Sequence, residues 1–158
     1  MHYKVIFDVT QTEFRNWSSL WLVFIFAAIP IIIVSYKGWR NNSNLRMLFF
    51  IFVFGEIFSA LGFYHDYSNY LRLQSAMRDS KCIITEGIVN HFYTLQADKH
   101  RPGESFVVNG VEFRYSQGSA QNGFHQIGII TNGMRVRIYH FDKIDSVDKD
   151  ITRLEIAQ

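Results

Sequence analysis

The run WSSLWLVFIFAAIPIIIVSY, residues 17–36, is twenty residues long and carries no charge. At ~1.5 Å per helical residue, twenty residues match the ~30 Å hydrocarbon layer of a bilayer. Trp17, Trp21, Tyr36 and Trp39 gather toward its two ends, where amphipathic rings prefer the headgroup level. Pro30 lies inside the run; a membrane helix tolerates it when the freed backbone groups find other partners. A second apolar run, MLFFIFVFGEIFSALGFY at 47–64, holds one charge, Glu56, near its middle. Between them, 37–46 (KGWRNNSNLR) is a polar turn broken by Gly38 and Asn41–Asn44, with three bases and no acid. The pair reads as a transmembrane helical hairpin.

The second helix is expected to continue past the membrane. Phe63, Tyr67, Tyr70, Leu71, Gln74 and Met77 recur at spacings of three and four, and Arg72, Arg78 and Asp79 fall elsewhere around the wheel. Residues 65–81 therefore read as an amphipathic stalk, and a helix from Leu45 to Ser80 would be ~54 Å long. Residues 1–16 (MHYKVIFDVTQTEFRN) give a weak alternating signal over Tyr3, Val5 and Phe7. They form an interfacial tail or one strand. They are not expected to begin a cleaved signal peptide, because the apolar run that follows is too long and lacks a small-residue cleavage site.

From Cys82 the pattern changes to period two. Strands are predicted at 83–93, 105–108, 111–115, 124–130, 134–140 and 151–156. A bulge or bend is expected at Gly87, and Asn109-Gly110 and Asn132-Gly133 serve as hairpin turns. Val111, Phe113 and Tyr115 should face one way, as should Met134, Val136 and Ile138. The segments 97–104, 117–123 and 141–150 read as loops. Short strands at this spacing suggest a small closed or nearly closed barrel over 82–158, OB-like or SH3-like, expected to fold on its own. The fold class is thus α+β: a membrane hairpin, a helical extension and an all-β barrel.

The charge splits along the chain. Residues 1–81 hold eight Lys/Arg and five Asp/Glu, and residues 82–158 hold eight and nine. The near-neutral second half lacks the electrostatic footprint of a nucleic-acid binder. One cysteine, Cys82, excludes an intramolecular disulfide and a Cys-rich zinc site. His91, His100, His125 and His140 lack the close pairing of metal ligands and read as surface or loop residues. No serine nucleophile motif, phosphate-cradling loop or carboxylate pair is present, so neither an enzyme nor a bound cofactor or metal is expected.

Three features carry the candidate chemistry. A carboxylate at the centre of a membrane helix costs ~2.5–3.5 kcal/mol on insertion scales, so Glu56 needs a reason. A tight hairpin brings position 56 level with about position 26, and Pro30 cannot donate to the Phe26 carbonyl. One reading is a hydrogen bond from Glu56 to that carbonyl or to a neighbouring subunit; the other is an ion or proton site. Gly55, Ser59 and Gly62 form a small-residue stripe suited to close helix packing, either on the first span or on another copy. Arg135 and Arg137 project from one strand and, with Arg114, could form a basic patch; a solvated strand face is the alternative.

The segments TEGIVNHF (85–92), ESFVVNGVEFRYS (104–116), GF (123–124), NGMRVRIYH (132–140) and ITRLEI (151–156), with VIFD (5–8) before an aromatic-flanked span, carry a resemblance. The chain is similar to a group of uncharacterised bacterial two-span membrane proteins with a small C-terminal β-domain. It departs from their pattern at HQIGIITN (125–132), where a Gly-Gly-Pro run would stand, and its loop at 141–150 looks longer. The resemblance implies a fold, a bacterial inner-membrane location and an extracytoplasmic β-domain. It implies no activity. The expected role is a membrane-anchored interaction module whose partners are the lipid bilayer and a protein or another copy; a channel or transport subunit using Glu56 is the alternative.

Overall fold

The structure, a computed structural model, describes residues 2–95, 103–116, 123–142 and 149–158. The parts of the predicted loops at 97–102, 117–122 and 143–148, with His100, lie outside these. The chain is α+β and forms two units, Phe14–Ser68 and Met1–Glu13 with Asn69–Gln158.

The first unit is helical. Helix α1 (Ser19–Ser35) is followed by a 3₁₀ turn (Trp39–Asn41) and by the first part of α2 (Ser43–Arg78). Asn42 caps α2: its Oδ1 accepts from the backbone N–H of Asn44 at 3.0 Å and of Leu45 at 3.3 Å, donors that a helix start leaves without partners. On α1 the shielded positions are Val23, Phe26, Ala27, Ile29, Pro30 and Ile33, while Trp21, Phe24, Ile31 and Ile32 face outward. On α2 the shielded face runs through Phe52, Glu56, Ser59 and Phe63, with Phe50, Phe54, Phe58 and Leu61 outward. Phe14 closes one end of the unit. Its ring meets those of Trp17, Phe63 and Tyr67 edge-on at 5.5, 5.7 and 5.4 Å, and Asn16 donates to Asp66 at 2.7 Å.

Helix α2 is long and apolar enough to cross a membrane, and no residue of its most apolar 18-residue window is buried. Helix α1 is also apolar, but at 17 residues it is shorter than the twenty-residue span expected from the sequence.

The second unit is a six-stranded antiparallel sheet in the order β1-β6-β5-β2-β3-β4. The strands are β1 (Tyr3–Asp8), β2 (Ile83–Leu95), β3 (Gly103–Val108), β4 (Val111–Ser116), β5 (Arg135–Asp142) and β6 (Lys149–Ala157). The ladder is open, with β1 and β4 at its edges; among the described residues no pairing joins them. The predicted barrel closure is therefore not seen. One reason is β1 itself: of the two readings of the N-terminal segment the strand forms, and it lies along the outer edge of β6 from Tyr3↔Ala157 to Asp8↔Arg153.

Strand β2 organises the sheet. Ile83–Ile88 pair with β5, and from Val89 onward the strand pairs with β3. The expected bulge is not at Gly87, which pairs regularly with Val136. It lies between Asn90 and Tyr93, where His91 adopts φ 51°. Gly87 has another role: a Cβ there would stand 3.1 Å from Val108 Cγ1, so the glycine admits a close approach of the β3–β4 hairpin. That hairpin turns on Asn109 (φ 49°) and Gly110 (φ 80°), as a two-residue primed turn requires.

The predicted strand at 124–130 does not form. Phe124 N–H donates to the Ile151 carbonyl at 3.0 Å without starting a ladder, and Gly128 takes φ 79°, outside the β region. Asn132-Gly133 consequently joins no strand pair. It belongs to a turn in which Met134 N–H bonds to the Thr131 carbonyl at 3.3 Å, and Asn132 Oδ1 accepts from Phe92 N–H at 2.9 Å.

One core collects side chains from all six strands, among them Phe7, Val89, Phe106, Phe113, Ile138 and Leu154. Leu73 of α2 belongs to it, and Tyr70 and Ala76 are buried beside it. Tyr70 donates to the Thr12 carbonyl at 2.8 Å, and Gln74 donates to the Val9 carbonyl at 3.3 Å. The last three turns of α2 are therefore part of the β-unit rather than a free stalk. The helix stops in a Schellman arrangement: Lys81 N–H reaches Ala76 O at 2.9 Å, Ser80 N–H reaches Met77 O at 3.3 Å, and Ser80 takes φ 55°.

Candidate functional site

Within the helical unit, Glu56 sits on the shielded face of α2. Its Oε2 is buried and has no hydrogen-bond partner among the described residues. The neighbouring Gly55 packs on α1. A Cβ on Gly55 would lie 2.5 Å from the Phe26 ring, and Phe26 also meets Phe52 at 5.6 Å. Gly55 thus serves packing on α1. Gly62 has nothing within 4 Å of a would-be Cβ, so the stripe divides; Ser59 is half-buried between them. Pro30 is buried on α1.

In the β-unit the polar chemistry lies on the outer face of the sheet. Alternation turns Ile84, Glu86 and Ile88 of β2 outward, with Arg135, Arg137 and Tyr139 of β5 and Arg153 and Glu155 of β6. Register places Glu86 opposite Arg137 and Arg137 opposite Glu155. The result is a run of ion pairs across four strands. Arg153 contacts Asp8 at 3.5 Å and Glu155 at 2.7 Å. Arg137 contacts Glu155 at 3.4 Å and Glu86 at 2.9 Å. Tyr3 donates to Glu86 at 2.6 Å, and the Arg137 guanidinium lies 4.2 Å from the centre of the Tyr3 ring.

These contacts set the electrostatics. The hydrogen bond from Tyr3, then that from Arg137, holds Glu86 below the usual carboxylate range. The bond to Glu86 in turn raises Tyr3 and Arg137. On β4, Glu112 is lowered by hydrogen bonds from Arg114, Ser105 and Tyr93. Each of these carboxylates is held by a guanidinium, which makes it an ion-pair partner rather than a proton donor.

The three arginines of the predicted basic patch are not gathered. Arg114 is on β4, separated from β5 by β3 and β2, and pairs with Glu112 at 2.9 Å. Arg137 is neutralised by Glu86 and Glu155; Arg135 is exposed on the same face. The face is mixed in charge. Sequence reasoning found Arg137 but missed Tyr3, Glu86 and Glu155 as its neighbours, and the Arg153–Asp8 pair that continues the run. Their outward alternation was readable, whereas the β1-β6-β5-β2 order that juxtaposes them was not.

The histidines separate as well. His91 is exposed at the bulge, and His125 Nδ1 lies 3.0 Å from the Gly123 carbonyl. His140 is a core residue, 2% exposed, bonded to Thr85 Oγ1 at 3.0 Å. The inward alternation of Val136 and Ile138 extends to it. No group of three or more His, Cys, Asp or Glu is arranged to hold a metal among the described residues. A buried carboxylate, Glu104, accepts from Tyr115 on the facing strand and from Gly128 N–H at 2.7 Å. Burial, then this bond, pushes the Tyr115 phenol up. Glu104 pins the 123–134 segment to the hairpin, a structural task.

Compared with protein-family models, curated proteins and solved structures, the chain matches none of them.

Proposed function

We propose that the chain is a membrane-anchored interaction module. The helical unit is its anchor and the β-unit contacts a protein partner or another copy. The observation that carries the reading is the outward face of α2: Phe50, Phe54, Phe58 and Leu61 are 58–72% exposed, and a surface this apolar needs a non-aqueous neighbour. In this reading α1 also spans the bilayer, Trp17, Trp21, Tyr36 and Trp39 marking the headgroup levels. A shorter helix is accommodated by local thinning of the bilayer. The membrane is the bacterial inner membrane, with the basic turn at Lys37, Arg40 and Arg46 cytoplasmic and the β-unit extracytoplasmic. The likeness to the uncharacterised two-span proteins points the same way. The finer form of the β-unit is a barrel-like sheet, OB-like in the bend of β2 and in the sharing of that strand between two sets of partners.

The test is chemical cross-linking in intact membranes followed by sizing in mild detergent. The module reading expects discrete adducts, with a partner or with a second copy, formed through the β-unit. A chain that remains monomeric and uncrosslinked in its native membrane contradicts it. The unpartnered Glu56 oxygen supports a second reading, a transport subunit, which expects a proton flux in liposomes that disappears in Glu56→Gln.

A further inference from the structure

We propose that β4 pairs, edge to edge and antiparallel, with β4 of a second copy of this chain. The inference rests on the interaction-module reading above and deepens it, because it names the partner and the surface.

Among the described residues the sheet ends in β1 and β4, and the two edges are built differently. Edge strands resist pairing through bulges and charged side chains, lysine above all. Strand β1 has both: its register shifts between Val5 and Phe7, and Lys4 is exposed. On the regular stretch Tyr3–Val5 a two-fold pairing would set Lys4 against the partner's Lys4, and like charges repel there. Strand β4 has neither device. It pairs with β3 without a shift over its whole length, from Gly103↔Ser116 to Val108↔Val111, and its sequence VEFRYS holds no lysine or proline.

Phase and charge then select one register. Val108 and Val111 flank a two-residue turn, so they exchange both backbone hydrogen bonds. Alternation directs the backbone groups of Val111, Phe113 and Tyr115 toward β3, and those of Glu112 and Arg114 toward the outer side. A two-fold axis at Phe113 makes Glu112 and the partner's Arg114 a hydrogen-bonded pair, twice over. The same axis sets Val111 against the partner's Tyr115, so apolar side chains stay on the core face. Arg114 and Glu112 already touch within the chain at 2.9 Å, and Ser105 and Tyr93 each donate to the same Glu112 oxygen at 3.1 Å. Across the axis these two charges become four, alternating in sign. An axis at Glu112 or at Arg114 would set like charges face to face. An axis between residues would set core side chains against outward ones.

Directed disulfides test the register. Opposite residues of a hydrogen-bonded pair lie ~5.5 Å apart at Cα, within disulfide reach, whereas diagonal neighbours lie at ~7–8 Å, beyond it. Full chains carrying Cys82→Ser with either Glu112→Cys or Arg114→Cys, differently tagged, are produced alone or together in one membrane and oxidised with copper–phenanthroline. The proposal expects a disulfide-linked dimer bearing both tags from co-production, and little from either chain alone. Charge reversal gives a second reading that needs no thiol. Glu112→Lys and Arg114→Glu should each lose the dimer alone and regain it when co-produced, because each new charge then faces its opposite across the axis. An ion pair confined to one chain gives no such rescue. If neither the two-tag disulfide nor the rescue is seen, while a lysine-reactive cross-linker still gives adducts through the β-unit, the β4 pairing is overturned and the module reading stands. Absence of adducts of any kind overturns both.

Discussion

The ring of Phe113 on β4 lies 5.2 Å from the imidazole of His140 on β5, at 76°, although β3 and β2 stand between those strands. Three ladder steps across a flat sheet would span ~14 Å. The contact therefore requires the sheet to fold over on itself, and β2 is where it folds. The two edges approach in the same way through Phe124, whose ring is 5.6 Å from Phe7 on β1 and 5.0 Å from Tyr115 on β4. Phe113→Ala is expected to cost about 3–5 kcal/mol of β-unit stability, measured by urea denaturation of the detergent-solubilised chain. A loss below ~1 kcal/mol would mean that the fold does not depend on this contact.

The end of α2 is expected to be indispensable to the sheet. Leu73 is 2% exposed and Leu71, two residues away, is 46% exposed. Leu73→Ala should destabilise by about 2–5 kcal/mol, and Leu71→Ala by about 0.5 kcal/mol or less. By the same argument a fragment of 82–158, lacking β1, Val9 and Leu73, should show weak tertiary near-ultraviolet dichroism. Adding back 69–81 should strengthen that signal.

The two glycines of α2 should respond oppositely. Gly55→Ala drives a Cβ into the Phe26 ring and should cost about 1–3 kcal/mol. Gly62→Ala meets open space and should be neutral or stabilise the helix by about 0.5–1 kcal/mol. Thermal unfolding of both variants in the same micelles provides the comparison; equal effects would remove Gly55 from the helix contact.

Stability should fall in acid and again in strong alkali. Glu86 and Glu112 are lowered in the folded chain, so their contribution is present above the unfolded carboxylate value of ~4.3. It is lost as pH drops through the folded values. Tyr115 is raised, so its contribution is full below about pH 10 and is lost as pH rises beyond it. Urea midpoints recorded across pH test this. Glu86→Gln should flatten the acid limb, and Tyr115→Phe the alkaline one.

Much of the strand pattern was legible in the sequence, because alternation at 111–115 and 134–140 reports which side chains face the core. Asn109-Gly110 was legible because only a primed turn needs two positive φ values in succession. What could not be read was whatever depends on partners far along the chain. The segment at 124–130 looks like a strand until Gly128 is seen in a left-handed conformation bonded to Glu104. The alternation of Tyr3, Val5 and Phe7 left tail and strand both open, and the strand forms because β6 offers it an edge. The helical period at 70–77 was legible but its buried face was not: Leu71, counted in the apolar stripe, is 46% exposed, whereas Leu73 and Ala76, outside it, are buried, because nothing local says which side a sheet covers. At the candidate site, Glu56 was conspicuous from its chemistry alone. That its Oε2 is buried without a hydrogen-bond partner among the described residues follows from how the helices pack, which no local pattern reports.

The central claim is that lipid covers the outward face of the helical unit. A carbene-generating, lipid-soluble photoprobe applied to the reconstituted chain, read by peptide mass spectrometry, tests it most directly. The account predicts adducts at outward residues such as Trp21, Phe24, Phe54 and Phe58, 59–72% exposed. It predicts few at shielded Phe26 and Pro30 or at exposed Ile84 and Tyr93 of the β-unit. Labelling that follows exposure alone, with Ile84 and Tyr93 as heavily modified as Phe58, would contradict it.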